Sequence, residues 1–356
     1  MGAEDPMGRV VPGWTTAFTE LVGCAVPIQQ AGFGSSANVE LAAAVSEAGG
    51  LGMLGGTLAG APAIERAIEG VRRVTTAPVG VNFVAPFFDG ARDGQALRAA
   101  AAGARVVEFF FGEPEPALID AIHSEGALAS WQVGSVEEAE RAVAAGADII
   151  VLQGIEAGGH VRATRGLWPM LAEAAAALPV PVLAAGGIAS ARTIAAALAT
   201  GAAGVRMGTR FVASREADFH PLYKQALLDA GGADTIYTER FRELWPDAPH
   251  RVLRSSLEAA EAAAGPTIGT MDAGGEQIEV PRFAGFAPTG GAVGEIAAMA
   301  CFAGEGVGEI DSLPAAGEIV ATLAAEAAEL LRTAVAQAPK PAPAVAPAIE
   351  EARNGR

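Results

Sequence analysis

Residues Ile149-Ile150-Val151-Leu152-Gln153-Gly154-Ile155-Glu156-Ala157-Gly158-Gly159-His160 run from an unbroken apolar segment into a polar, glycine-rich corner that ends in a histidine. Consecutive apolar residues without alternation suit a parallel strand covered on both faces. The glycine pair permits positive φ, or a closer approach of backbone to a flat ligand than any Cβ would allow. His160 falls just past the carboxyl end of this strand, where parallel α/β folds bind their ligands. The chain has 4 histidines, and this one is the best placed for proton chemistry near neutral pH. The plainer reading is a tight βα turn with an exposed histidine, although a loop needs one glycine rather than two plus an acid.

Working outward, apolar runs recur along the chain: Cys24 to Gln30, Leu51 to Leu54, Val79 to Phe83, Val106 to Phe111, Ala127 to Val133, Ile149 to Gln153, Val182 to Ala185 and Val205 to Met207. Between them lie alanine-rich amphipathic segments with helix-start signals. Ser135-Val136-Glu137-Glu138 reads as a capping box, and Ser190 opens the helix Ala191 to Ala199. Eight strand–helix units predict an α/β fold, a (β/α)8 TIM barrel, in preference to an open doubly wound sheet. After the eighth run the rhythm breaks. Residues 215–282 are more polar, carry Trp245 before a Pro246-Asp247-Ala248-Pro249 turn, and read as a helical insertion over the barrel mouth. An ordinary last helix, Pro221 to Ala230, plus a loop would leave too much polar chain unexplained. The expected barrel comprises 14–214 and 283–337, closed by helices at Gly290 to Phe302 and Glu318 to Val335. Met1 to Gly13 reads as a flexible leader, and the Pro/Ala-rich stretch 338–356 as a disordered tail.

Composition limits the function. At 51% hydrophobic and 18% charged, 356 residues can bury a large core. A net charge of -17 repels a phosphate backbone, so nucleic acid is not an expected partner. Cys24 and Cys301 are far apart, form no metal-ligand spacing, and read as core thiols. No metal site is expected. With no signal pattern and no apolar run of the roughly 18 residues a span needs, the expectation is a soluble cytoplasmic protein without membrane contact.

Further stretches at strand ends together describe a ligand. Ala185-Gly186-Gly187-Ile188 with Ser190, and Met207-Gly208-Thr209, offer unpaired amides in the two consecutive loops that usually hold phosphate in a barrel. Ala31-Gly32-Phe33 at the first strand end would let backbone line an aromatic ring system. Asn82 at the third strand end and Gln153 at the sixth each offer a donor and an acceptor. With His160 on the far side, this inventory fits flavin mononucleotide, FMN. No GxGxxG fingerprint, P-loop or HExxH is present. Lys224 falls in a helical stretch rather than at a strand end, so no Schiff-base lysine is apparent, and paired catalytic carboxylates are missing too.

The motifs Leu152-Gln153-Gly154-Ile155-Glu156-Ala157-Gly158-Gly159-His160, Ala185-Gly186-Gly187-Ile188 and Met207-Gly208-Thr209-Arg210-Phe211 resemble those of the nitronate monooxygenase family, formerly 2-nitropropane dioxygenases, from about Pro27 to Leu331. A sister resemblance is to flavin-type enoyl-acyl carrier protein reductase. The resemblance implies an FMN-dependent barrel that oxidises alkyl nitronates with O2, with His160 as catalytic base. The expected cofactor contacts are Ala31, Gly32, Phe33, Asn82, Gln153, Ala157, Gly158, Gly159, Gly186, Gly187, Gly208 and Thr209. Partners are a small nitronate-like substrate and O2, with NAD(P)H use and a homodimer left open. This chain departs from the family's pattern at Gly32-Phe33, at Trp131-Gln132, which would narrow one side of the pocket, and at Val161-Arg162-Ala163-Thr164. NAD(P)H-dependent reduction of an enoyl thioester is the second reading, and a flavin-binding protein without turnover, occluded by Trp131 and Phe33, the third.

Overall fold

A computed structural model describes residues 13–34, 38–273 and 276–337; the expected leader, apart from Gly13, and the expected tail at 338–356 lie outside the described residues. All eight predicted strands form: β1 (Ile28–Gln30), β2 (Gly52–Gly55), β3 (Val79–Val84), β4 (Val106–Phe110), β5 (Leu128–Val133), β6 (Ile149–Gln153), β8 (Val182–Ala185) and β9 (Gly204–Met207), with a two-residue strand β7 (Gly159–His160) between the sixth and seventh. They pair in the order β1-β9-β8-β6-β5-β4-β3-β2. A parallel bridge between Gln29 and Leu51 then joins the two ends, with Leu51 N donating to Ile28 O at 2.9 Å and Gln30 N to Leu51 O at 3.0 Å. Closure leaves no open edge, which is why the short β1 suffices.

The helix starts follow their sequence signals. Ser135 Oγ accepts from Glu138 N at 3.2 Å, while the Glu138 carboxylate accepts from Gly134 N at 2.8 Å. Ser190 and Thr193 form a reciprocal capping box for Ala191–Ala199. A short helix, Ala17–Val22, plugs the amino end of the barrel. Its Phe18 and Val22 pack on Leu51, Met53, Val106, Ile149, Val151 and Leu183 inside the barrel, and Arg105 Nη2 donates to Leu21 O at 2.6 Å. A fully buried ring such as Phe18 contributes roughly 2–3 kcal/mol. The opposite, carboxyl end is therefore the open one.

The segment after β9 carries helices Pro221–Leu228 and Arg254–Ala262, and it also holds strands that its sequence did not announce: β10 (Thr235–Thr238), β11 (His250–Leu253), β12 (Thr267–Ala273) and β13 (Glu276–Pro281). With β14 (Val293–Gly294), these make two small sheets, β10-β11-β7 and β13-β12-β14. A separate apolar cluster, including Phe241, Val252, Leu257, Val280, Ile296 and Met299, holds this region together. The helix expected at Gly290 to Phe302 does not form. Gly290 and Gly291 make a turn, Gly294 sits at φ +124, and only Ile296–Ala298 coil as a 3-10 turn. The apolar spacing there serves the insertion's own core instead. The closing helix does form, as Ala316–Gln337.

Candidate active site

Two neighbouring parts of the open end carry the candidate residues, since β6 pairs directly with β8. On one side, β8 and β9 deliver the glycine turns. Gly186 and Gly187 take φ +111 and +67, a backbone conformation that residues with a Cβ rarely adopt. Among the described residues, the amides of Gly186, Gly187 and Gly208 have no backbone acceptor. Ser190 starts one helix just beyond, and Thr209 starts another, Thr209–Val212. Thr209 Oγ1 accepts from Gly304 N at 3.0 Å, which ties the loop to the closing segment. Such a cluster of donors, next to helix starts, binds anions.

Beside them, β6 ends in the loop that carries His160, with Gly187 packed close to Glu156 of that loop. Gln153 holds this loop by both ends of its amide: Nε2 donates to His160 O at 3.0 Å, and Oε1 accepts from Arg162 N at 2.9 Å. One of its two donors and one of its two lone pairs serve the loop in this way. Glu156 likewise serves structure, its carboxylate accepting from Leu167 N at 3.0 and 3.1 Å to start helix Leu167–Ala177. Gly159 uses positive φ, +78. Gly158 allows close approach, but of the chain to itself, since a Cβ there would lie 2.3 Å from Gly304 N. Ala157 is buried between these contacts.

His160 sits in a box of rings drawn from separate elements. Its centroid lies 4.0 Å from Trp245, 5.4 Å from Phe302, 5.6 Å from His250 and 6.4 Å from Phe111. The insertion reaches this point because β11 pairs antiparallel with β7, with His250 opposite His160. Trp245 is presented by a loop in which Leu244 and Asp247 both take positive φ, +74 and +58. The His160 Nε2 is sealed from solvent and has no hydrogen-bond partner among the described residues. Burial first, and the neighbouring His250 second, pull the imidazole pKa down from 6.5 to about 3. At neutral pH the ring is uncharged, with one nitrogen protonated and the other not. His250 cannot share that role, because its Nε2 accepts from Phe241 N at 3.2 Å and its Nδ1 faces Ala248 O at 3.0 Å.

Between the two sides, the barrel interior carries a polar layer that sequence reading missed. Glu108, fully buried, accepts from Gln29 Nε2 at 3.1 Å and Asn82 Nδ2 at 2.9 Å. It also meets the Ser130 hydroxyl at 3.4 Å and pairs with Arg206 Nη1 at 2.6 Å; Arg206 Nη1 further donates to Gln132 Oε1. One carboxylate in Val106-Val107-Glu108-Phe109-Phe110 and one guanidinium in Gly204-Val205-Arg206-Met207 were the available signal, since a charge inside an apolar strand must find a partner. Asn82 is thus held by its donor end in this layer, and Gly32 packs on it, with a Cβ at 32 falling 2.5 Å from Asn82 Cβ. Ala31 N donates to Met207 O at 2.9 Å, placing the first-strand loop beside Gly208. Phe33 meets Phe219 edge to face, with ring centroids 5.1 Å apart.

Trp131 does not narrow the mouth. Polar Ser130 and Gln132 point into the barrel, so alternation sends Trp131 outward, where it stacks on Phe109 at 5.2 Å and donates from Nε1 to Gly112 O at 3.0 Å. Cys24 and Cys301 are buried free thiols, each pushed up to about 12 by desolvation.

Comparison with known proteins agrees with this architecture. The family described as nitronate monooxygenase matches residues 15–93 and 84–326. Over 245 residues the chain is 38% identical to a Mycobacterium tuberculosis (strain ATCC 25618 / H37Rv) protein named (3aS,4S,5R,7aS)-5-hydroxy-7a-methyl-1-oxo-octahydro-1H-indene-4-carboxyl-CoA dehydrogenase, a match covering 68% of this chain and 67% of that one. The structure of nitroalkane oxidase from Streptomyces ansochromogenes superposes with a TM-score of 0.70 at 30% identity, covering 90% of this chain and 100% of that one. FabK from Thermotoga maritima gives 0.73 at 28% identity, covering 91% and 99%. The family match extends over the barrel and the segment inserted after β9, so the chain belongs to the nitronate monooxygenase family and is an oxidoreductase.

Proposed function

We propose that the protein binds FMN at the barrel mouth and oxidises alkyl nitronates, or the nitroalkanes that yield them, with O2 as the final acceptor. The observation that carries this reading is His160 Nε2, a sealed ring nitrogen with no hydrogen-bond partner among the described residues, in the loop next to glycine turns whose amides take no backbone acceptor. The residues fit the cofactor. Amides of Gly186, Gly187, Gly208 and Thr209 take the phosphate, and Ala31, Gly32 and Asn82 lie along the route a ring system would follow from there. FMN, when bound, supplies a two-electron acceptor and a path to O2.

The protein's own part is proton transfer and shielding. A nitroalkane C–H next to the nitro group is acidic, and neutral His160 takes that proton at Nε2. With a pKa of about 3, the imidazole is unprotonated throughout the neutral range, though a weak base while it stays sealed, and the role of imidazolium partner to a preformed anion is disfavoured. Gln153 fixes the loop that aims it, through the hydrogen bond to His160 O. Trp245, Phe111 and Phe302 exclude water, and the Trp245 ring moves aside for a substrate to reach Nε2. The insertion at 215–282 acts as the cover of the mouth.

A second reading is NAD(P)H-dependent reduction of an activated alkene such as an enoyl thioester. Similarity to a relative whose name carries a carboxyl-CoA group supports it. Anaerobic mixing of the purified yellow protein with a nitronate, a nitroalkane and NADPH separates the readings through the flavin absorption band. Bleaching by the nitro compounds alone is expected; bleaching by NADPH alone would favour the reductase, and bleaching by none would leave a binding protein.

A further inference from the structure

The polar layer inside the barrel holds a cation that no step above uses. β4 and β9 lie opposite each other in the ring, with three strands between them in either direction, so the Glu108–Arg206 pair spans the barrel. Glu108 is 0% exposed and Arg206 7%. A buried ion pair adds little to stability over an apolar replacement, which leaves open what the arrangement is for. Only Nη1 of Arg206 is engaged, by Glu108 and Gln132. A guanidinium carries five N–H donors. Its Nε and Nη2 take no acceptor among the described residues, yet neither is among the sealed, unsatisfied atoms. They therefore open toward solvent, and because Phe18 and Val22 plug the amino end, the way out is the mouth.

Position on the strand gives the ligand. Arg206 is two residues before Gly208, on the same inward side of β9, one step below the anion-binding amides. Gln29 of β1 is its register partner, and Ala31 beyond it bonds to Met207 O. A flavin held by its phosphate at Gly208, with Ala31, Gly32 and Asn82 beside its ring, would come within reach of the free edge of this guanidinium.

We propose that Arg206 contacts the flavin ring from inside the barrel and stabilises the negative charge the ring carries once reduced, with Glu108 as the counter-ion that lets the cation be buried there. The inference rests on the FMN reading. Charge in a desolvated site acts strongly on a neighbouring group, and Glu108 offsets part of that field, so removing each partner shifts the cofactor in opposite directions.

The test is the midpoint potential of bound FMN in wild type, Glu108→Gln and the double variant Glu108→Gln/Arg206→Gln. The double variant removes both charges and avoids an unpaired buried ion. The expected order is highest in Glu108→Gln, intermediate in wild type, lowest in the double variant. FMN should also bind about tenfold more weakly to the double variant than to Glu108→Gln, the loss expected for a charged hydrogen bond. Wild type alone supplies a second readout: its reduced flavin keeps the anionic absorption spectrum at mildly acidic pH, where free reduced FMN is neutral. Equal potentials in flavin-holding variants, or a neutral reduced spectrum in wild type, overturn the assignment while leaving the FMN reading intact. Wild-type protein that takes up no FMN removes both.

Discussion

The two sides of the barrel mouth are made of different material. The β8/β9 side is backbone: two glycines at positive φ and the starts of two helices within a few residues of their strands. The β4/β6 side is side chains: Phe111 from the loop after β4, His160 from β7, Trp245 and His250 from the insertion and Phe302 from the closing segment, none adjacent in sequence. The first side holds charge through fixed dipoles and needs little packing to do so. The second lowers the pKa of one imidazole by removing water from it, and so depends on every ring staying in place. A backbone site is fixed by local conformation, whereas a desolvated base is only as good as its most mobile neighbour.

Substitutions can break each side separately. The largest effect is expected from Gly187→Asp, which puts a side chain at φ +67 with a Cβ 3.2 Å from Glu156 Cβ, and a like charge beside the phosphate. FMN retention should fall by at least about 100-fold, the loss of several charged hydrogen bonds, read by fluorescence titration of free FMN, while His160 keeps its environment. Trp245→Ala should do the converse. FMN stays, but water reaches the imidazole, and its pKa rises from about 3 back toward 6.5. Since the unprotonated ring is the working form, the wild-type rate on nitroalkanes should hold into acid, whereas the variant should lose rate as pH falls through this higher pKa. The pH profile of kcat/KM measures it; coincident acid limbs would mean that Trp245 does not control hydration of the base.

This contrast also explains how much could be read from the chain alone. The barrel was legible because each buried parallel strand is a short apolar run, and the glycine turns after β8 and β9 because their glycines sit directly at strand ends. The bonds by which Gln153 holds the His160 loop were not legible, because a strand-end amide looks the same whether it serves a ligand, its own loop or both. Trp131 was placed in the pocket by its neighbours in sequence, although the polar pair Ser130 and Gln132 on either side of it marks the inward face. Gly290 to Phe302 has helix-like apolar spacing but serves a second core that exists only once β12 and β13 pair. The ring box around His160 has no local signature, because no two of its members lie within one element. Glu108 and Arg206 stood out only as charges in apolar strands, and their partnership across the barrel needed the strand order.

The central claim is that the neutral imidazole of His160 takes a proton from the substrate. Anaerobic stopped-flow reduction of bound FMN in His160→Asn, with neutral nitroalkane and with pre-formed nitronate, tests it most directly. The account predicts a loss of roughly 10²- to 10⁴-fold on the nitroalkane, the range for general-base catalysis, and a much smaller loss on the nitronate, whose proton is already gone. Equal losses on the two forms would contradict it and reduce His160 to a residue of the loop.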